Sequence, residues 1–149
     1  MKAYEITEGD VVISDDKTRL DVAWIHAFLS ERSYWAQAVP VEIVERSIRN
    51  SLCFGMFKAG RQIGFARVVT DFTTFAWLAD VFIVEEVRGG GFGKKLVAAV
   101  VGHPELQQLR RFMLGTRDAH KLYERFGFAP LKFPERFMEF GPVNSYKCC

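Results

Sequence analysis

The chain has 149 residues, 49% of them hydrophobic, with 20 Lys and Arg against 18 Asp and Glu and a formal net charge of +2. That size and apolar content suit one domain, expected to span residues 1–149. The near balance of charge gives no general pull toward nucleic acid, no apolar run reaches bilayer length, and the opening MKAYEITEGD lacks a signal core. A cytoplasmic chain with no membrane and no nucleic-acid partner is therefore expected.

Two short β-like runs come first, Tyr4-Glu5-Ile6-Thr7 and Val11-Val12-Ile13-Ser14. Either is a first strand, or both form a hairpin across Glu8-Gly9-Asp10. Asp15-Asp16-Lys17-Thr18 reads as a helix entry, with Leu20, Ile25, Phe28 and Leu29 following at roughly helical spacing. Ser33-Tyr34-Trp35-Ala36-Gln37 breaks that pattern, and Pro40 precedes a second helix over about 41–49. Three apolar strands follow: Leu52 to Phe57, Ile63 to Thr70 and Phe75 to Val84. Their short turns make them antiparallel neighbours. After a glycine-rich loop comes a helix from Lys94 to about Val101, then a strand from Leu109 to Gly115 and a short helix from Asp118 to Arg125. Phe126-Gly127-Phe128 and Phe137-Met138-Glu139-Phe140 read as closing strands, with Gly127 expected at a tightly packed turn. The order β, α, α, β, β, β, α, β, α, β, β is an α/β fold of the α+β type, a mixed central sheet flanked by helices. Cys53 lies in an apolar run and Cys148-Cys149 end the sequence, with no zinc spacing among them.

The glycine-rich loop is Val87-Arg88-Gly89-Gly90-Gly91-Phe92-Gly93-Lys94-Lys95-Leu96. It stands between an apolar strand and a helix. A helix N-terminus offers unpaired N–H groups and the positive end of its dipole, and glycines let that backbone approach an anion. A P-loop would need glycine where Arg88 stands and Ser or Thr where Lys95 stands. A dinucleotide fingerprint would need glycine at Lys94 or Leu96. The pattern R-x-x-G-x-G fits as it is, through Arg88, Gly91 and Gly93.

That loop resembles the acetyl-CoA loop of the GNAT-superfamily N-acetyltransferases. The strand Asp80 to Val84 before it, with the triplet Phe82-Ile83-Val84, resembles the strand of that family. So does Ala119-His120-Lys121-Leu122-Tyr123-Glu124-Arg125-Phe126-Gly127-Phe128, which fits A-x-x-L-Y-x-x-x-G-F. The resemblance covers about 52–128 well and the helical N-terminus loosely. It implies a sheet whose neighbouring parallel strands, Phe75–Val84 and Leu109–Gly115, splay apart to take the cosubstrate acetyl-CoA. Pantetheine then lies against the backbone of Phe82, Ile83 and Val84. The pyrophosphate sits on the N–H groups of Arg88, Gly89, Gly90, Gly91, Phe92, Gly93 and Lys94.

The resemblance further implies direct attack of an amine on the thioester in a ternary complex. Tyr123 is the expected proton donor to the leaving thiolate. The family often places a glutamate just before the triplet. Asp80 is the carboxylate of that neighbourhood here, as base, as amine anchor, or as structural partner of Arg67. Glu85 and Glu86 are expected in a solvated loop. Thr116 stands where the family often has an asparagine on coenzyme A, and it either replaces that contact or caps the next helix. Tyr34 and Trp35 are expected to wall an acceptor pocket or cover the core, with Arg67 and Asp71 joining from the next strand. His120 faces cleft or solvent. The acceptor, a small amine or a peptide or protein amine, is left open, as is a homodimer. Two other classes remain. One is a coenzyme A-binding regulator without turnover. The other is a nucleic-acid module using Lys94, Lys95, Arg110 and Arg111.

Overall fold

The computed structural model describes residues 2–141 and 146; Cys148 and Cys149 lie outside them. The first two runs form a hairpin, β1 (Glu5–Glu8) and β2 (Val11–Ser14), with Gly9 at φ +62° in the turn. Helix α1 (Val22–Arg32) starts later than expected. Asp15 to Thr18 do not open it, because Asp16 folds its carboxylate onto Thr18 and closes a 3₁₀ turn over 17–19. Asp21 is the true cap, its side chain accepting from the Trp24 N–H. Helix α2 (Val41–Arg49) follows Pro40 as expected.

Strands β3 (Leu52–Lys58), β4 (Arg61–Thr70) and β5 (Phe75–Ile83) are antiparallel neighbours. Helix α3 (Phe92–Val101) carries the chain over to β6 (Arg111–Leu114), which lies parallel to β5, and α4 (His120–Glu124) follows. The sheet runs β1-β2-β3-β4-β5-β6. Successive strand residues face opposite sides, and β3 shows both. Cys53 faces α2, its thiol near the Ile48 carbonyl, while Phe54 meets Tyr4 and His103 beyond the end of α3. Helix α1 is seated by Phe28, whose ring stacks on Phe82 at 3.8 Å. Phe54, Phe65, Ile25, Met56 and Leu96 are fully enclosed. Burial pushes the Cys53 thiol up to about 12.

The parallel pair is short. β6 matches β5 only from Phe75↔Arg111 to Leu78↔Leu114. Beyond Leu78, β5 runs on to Ile83 without a strand on that side among the described residues. At that point β5 also carries an extra residue against β4. Phe65 pairs with Phe82 and Arg67 with Ala79, leaving Asp80 and Val81 opposite Ala66. Asp80 takes up the bulge at φ +53°, a conformation Asp tolerates better than most side chains.

Two expectations fail at the C-terminal end. Phe126–Phe128 is a turn, and Phe137–Phe140 forms no strand among the described residues. Pro130 and Pro134 break the segment. The Phe133 and Phe137 rings lie under the guanidinium groups of Arg136 and Arg111 instead of pairing along β6. Met138 and Phe140 stand fully exposed. Asp71 does not reach toward β4's neighbours in any cleft. Its carboxylate accepts from the N–H groups of Thr73, Thr74 and Phe75 and from the Thr74 hydroxyl, stapling the β4–β5 turn. Those bonds hold the carboxyl well below the usual range.

Gly127 is not tightly packed either: a Cβ there would meet nothing within 4 Å. What fixes it is φ +94°. The Phe128 N–H donates to the Tyr123 carbonyl at 3.2 Å and the Gly127 N–H to the Glu124 carbonyl at 3.1 Å. This is a Schellman cap with glycine at its left-handed position, and its apolar contact is Phe128 on Tyr123, ring centroids 5.9 Å apart. The spacing Y-x-x-x-G-F is thus the spacing of a helix stop. Gly127→Ala is expected to destabilise the protein by ~1–2 kcal/mol through left-handed strain, and Gly127→Asn by less. Urea unfolding of the two variants checks this; equal losses would mean crowding rather than backbone conformation.

Candidate active site

The glycine loop leaves β5 through a 3₁₀ turn, Glu85–Val87, and enters α3 at Gly91. Gly89 and Gly91 have φ of +93° and +76°, and a side chain at either would meet open space. Gly91 caps α3 without a side chain, so the first-turn N–H groups of Phe92, Gly93 and Lys94 have no partner within the helix. The Arg88 N–H differs from the others, since it donates to the Glu85 carbonyl at 3.2 Å. The Arg88 side chain folds back, its Nε donating to the Ile83 carbonyl at 3.0 Å. Arg88 therefore braces the loop, and the open N–H groups run from Gly89 to Lys94. Glu85 and Glu86 are exposed but engaged, both pairing with Arg32 at the end of α1.

The side chains of Phe82, Ile83 and Val84 are buried. This stretch can offer a ligand only its backbone. The Val84 N–H is spent on the β4 side, donating to the Ile63 carbonyl at 2.9 Å.

On the sheet face covered by α1 and α2, the gap beyond Leu78 opens into a cleft of about 480 Å³, within the usual size of a small-ligand site. Tyr34, Trp35, Arg67, Asp80, Thr116 and Tyr123 all line it. The irregular loop after α1 is held by Ser33, whose buried hydroxyl donates to the Leu29 carbonyl and accepts from the Ala36 N–H. That turns Trp35 toward Asp80, with Nε1 donating to Oδ1 at 2.8 Å. Arg67 Nε donates to Asp80 Oδ2 at 2.8 Å, and Arg67 Nη1 to the Ser51 hydroxyl at 3.2 Å. Asp80 is thus a partner of Arg67 and of Trp35 together. Tyr34 spans the cleft mouth. Its hydroxyl accepts from the Arg117 N–H at 3.0 Å and its ring carries the Arg117 guanidinium at 3.8 Å.

Tyr123 is 8% exposed and lines both this cleft and a second hollow of about 270 Å³ beside β6. Burial, and then the neighbouring Tyr34, push its phenol up to about 12. The Thr116 hydroxyl accepts from the Ala119 N–H at 3.0 Å, so it shapes the entry to α4 while facing both hollows. His120 stands at the lip of the second. Two cations of the nucleic-acid reading are engaged separately: Lys95 pairs with Glu8, and Arg111 covers Phe137.

Trp77 also lines the cleft, 37% exposed, and was not among the expected site residues. It stands two residues before Ala79 on β5. The period-2 rule for a strand was the signal that could have placed it there.

Comparison with known proteins agrees with this architecture. The model of the acetyltransferase (GNAT) family matches residues 13–128. An acetyltransferase-assigned protein of Gibberella zeae is 33% identical, over 82% of this chain and 80% of its own length. The crystal structure of a GNAT-family protein from Xanthomonas campestris pv. campestris superposes with a TM-score of 0.90 at 48% identity, covering 95% of this chain and 100% of that one. A Clostridium acetobutylicum structure described with acetyl-CoA shares the fold, with a TM-score of 0.53 and 12% identity over 68% of this chain and 71% of that one. With its six-stranded mixed sheet, parted parallel strands and open glycine loop, the chain belongs to the GNAT family of acetyltransferases.

Proposed function

We propose that the protein moves the acetyl group of acetyl-CoA to an amine by direct attack within a ternary complex. The observation that carries this reading is the pairing of an anion-ready loop with a cleft at the same strand gap. The N–H groups from Gly89 to Lys94 fit a diphosphate, since each glycine with positive φ leaves open space where a side chain would stand. The unpaired edge of β5 beyond Leu78 fits an extended amide-bearing arm. The thioester supplies an activated acetyl group with a thiol leaving group.

The chain's own residues have three tasks. A backbone N–H at the Asp80–Val81 bulge polarises the carbonyl, because the bulge releases the backbone from its ladder there. Tyr123 serves the departing sulfur. With its phenol raised to about 12 it stays protonated across the whole working range. It is also a weaker acid than a thiol, whose ordinary value is ~8.5. Tyr123 therefore acts chiefly by donating a hydrogen bond to the developing thiolate. Asp80, with both oxygens already accepting, holds the amine in place, and water in the open cleft takes the amine proton.

The coenzyme A-binding regulator is the alternative reading, and thiol release from acetyl-CoA with an amine panel separates the two. Binding is tested at Gly93, whose φ is ordinary and whose nearest neighbour to an added side chain is Leu122 at 3.9 Å. Gly93→Val is expected to fold normally and lose calorimetric acetyl-CoA binding by at least about tenfold, roughly 1.4 kcal/mol. Unchanged affinity in the folded variant would remove the loop from the cofactor site. Tyr123→Phe is expected to lower kcat and kcat/KM together by about 10²-fold, the low end for a positioned proton donor. Because that hydrogen bond needs only a protonated phenol, the deficit should persist above pH ~8.5, the ordinary thiol value. A Tyr123→Phe protein with unchanged kcat at neutral pH would take Tyr123 out of the chemistry.

A further inference from the structure

The charged side chains described at the cleft are paired. Arg67 and Asp80 neutralise one another on the floor, their side chains only 18% and 12% exposed. Arg117 and Asp118 pair at the mouth at 3.4 Å. The remaining wall is uncharged, with aromatic and aliphatic side chains interrupted by the hydroxyls of Ser47 and Thr116. Tyr34 and Trp35 meet edge to face, centroids 5.0 Å apart, on one side. Trp77 stands on β5, paired across strands with Val69. A side chain at Gly115 would lie 3.5 Å from the Trp77 indole; glycine leaves that ring uncovered on the side toward the β6–α4 turn.

Asp80 keeps spare capacity. An ionised carboxylate offers about four lone-pair sites. Trp35 takes one on Oδ1 and Arg67 one on Oδ2, so each oxygen retains one for an incoming ammonium. Aromatic rings beside that point favour a cation further. A second charge on the acceptor would meet neutral indole, phenol, hydroxyl and alkyl groups with no free counter-ion among the described residues, at a desolvation cost that a hydroxyl returns only in part.

Resting on the acetyl transfer proposed above, we infer that the acceptor is a compact primary amine carried on a flat, uncharged apolar body. Its ammonium docks on Asp80, and its body lies between Trp77 and the Tyr34–Trp35 pair. Arg67 is a positioning residue that holds Asp80 in the bulge, and Trp77 sets specificity.

The test is steady-state turnover by the full chain with acetyl-CoA, comparing phenethylamine and tryptamine with spermidine and lysine amide. The flat monoamines should exceed both polycationic acceptors in kcat/KM by at least about tenfold, a usual margin for apolar pocket contacts. Trp77→Ala should raise their KM about tenfold with kcat nearly unchanged and acetyl-CoA binding intact. Trp77→Phe, which keeps an aromatic wall, should recover most of that affinity. Preference for spermidine or lysine amide would overturn the inference while leaving acetyl transfer standing. An unchanged KM in a Trp77→Ala protein that still binds acetyl-CoA would overturn the placement of the body. Acetyl-CoA bound but uncleaved with every amine would overturn the transfer reading and this one with it.

Discussion

Everything at the candidate site depends on how few residues join the two parallel strands. A ladder running the length of β5 would seal the sheet. Here it stops at Leu78↔Leu114. Two local features enforce the stop. The bulge puts Asp80 in a left-handed conformation and turns the strand out of register with β4. On the other side, Gly115 and Thr116 end β6 and begin the turn into α4. The gap therefore costs no core. Phe82, Ile83 and Val84 remain buried on either side of it, and the stacked Phe28 keeps α1 seated on β5.

Around that gap the parts are held by bonds that leave the ligand-facing groups free. Arg88 ties the loop to the end of β5 from behind, and Glu85 and Glu86 tie it to α1. The Schellman cap stops α4 where Tyr123 can pack against Phe128 and still face the cleft. Tyr34 joins the loop after α1 to the turn before α4 across the mouth. These restraints come from separated parts of the chain; the first two fix the glycine loop, and the last two end in Tyr123 and Tyr34, which line the cleft.

Much of this was legible in the residues. The strands β3 to β5 are apolar runs separated by turn residues, so their pairing follows from chain length alone. The loop announced itself because four glycines and a helix start coincide. What stayed hidden was set by long-range pairing. No local signal says that Asp80 sits in a bulge or that Trp35 reaches it from 45 positions away. Trp77 went unmarked because its strand is apolar throughout, so the alternation that puts it on the face covered by α2 does not show as a polar–apolar pattern. Phe137 to Phe140 has the composition of a strand, yet a strand exists only where an edge receives it, and the prolines carry the segment elsewhere. Gly127 was correctly marked as special for an incorrect reason, since a small residue in open space and a small residue in a crowd look alike in a sequence.

Cys53 gains a further meaning in this setting. It pairs across β3–β4 with Arg67, so it lies just behind the floor of the cleft. Thioester exchange requires a thiolate within reach. Cys53 is 1% exposed, its thiol faces the carbonyls of Ile48 and Ser51, and burial keeps it protonated at any physiological pH. Under the acetyl transfer proposed here, the cysteine beside the cleft floor is thus kept from capturing an activated acyl group, and that group is left for the acceptor.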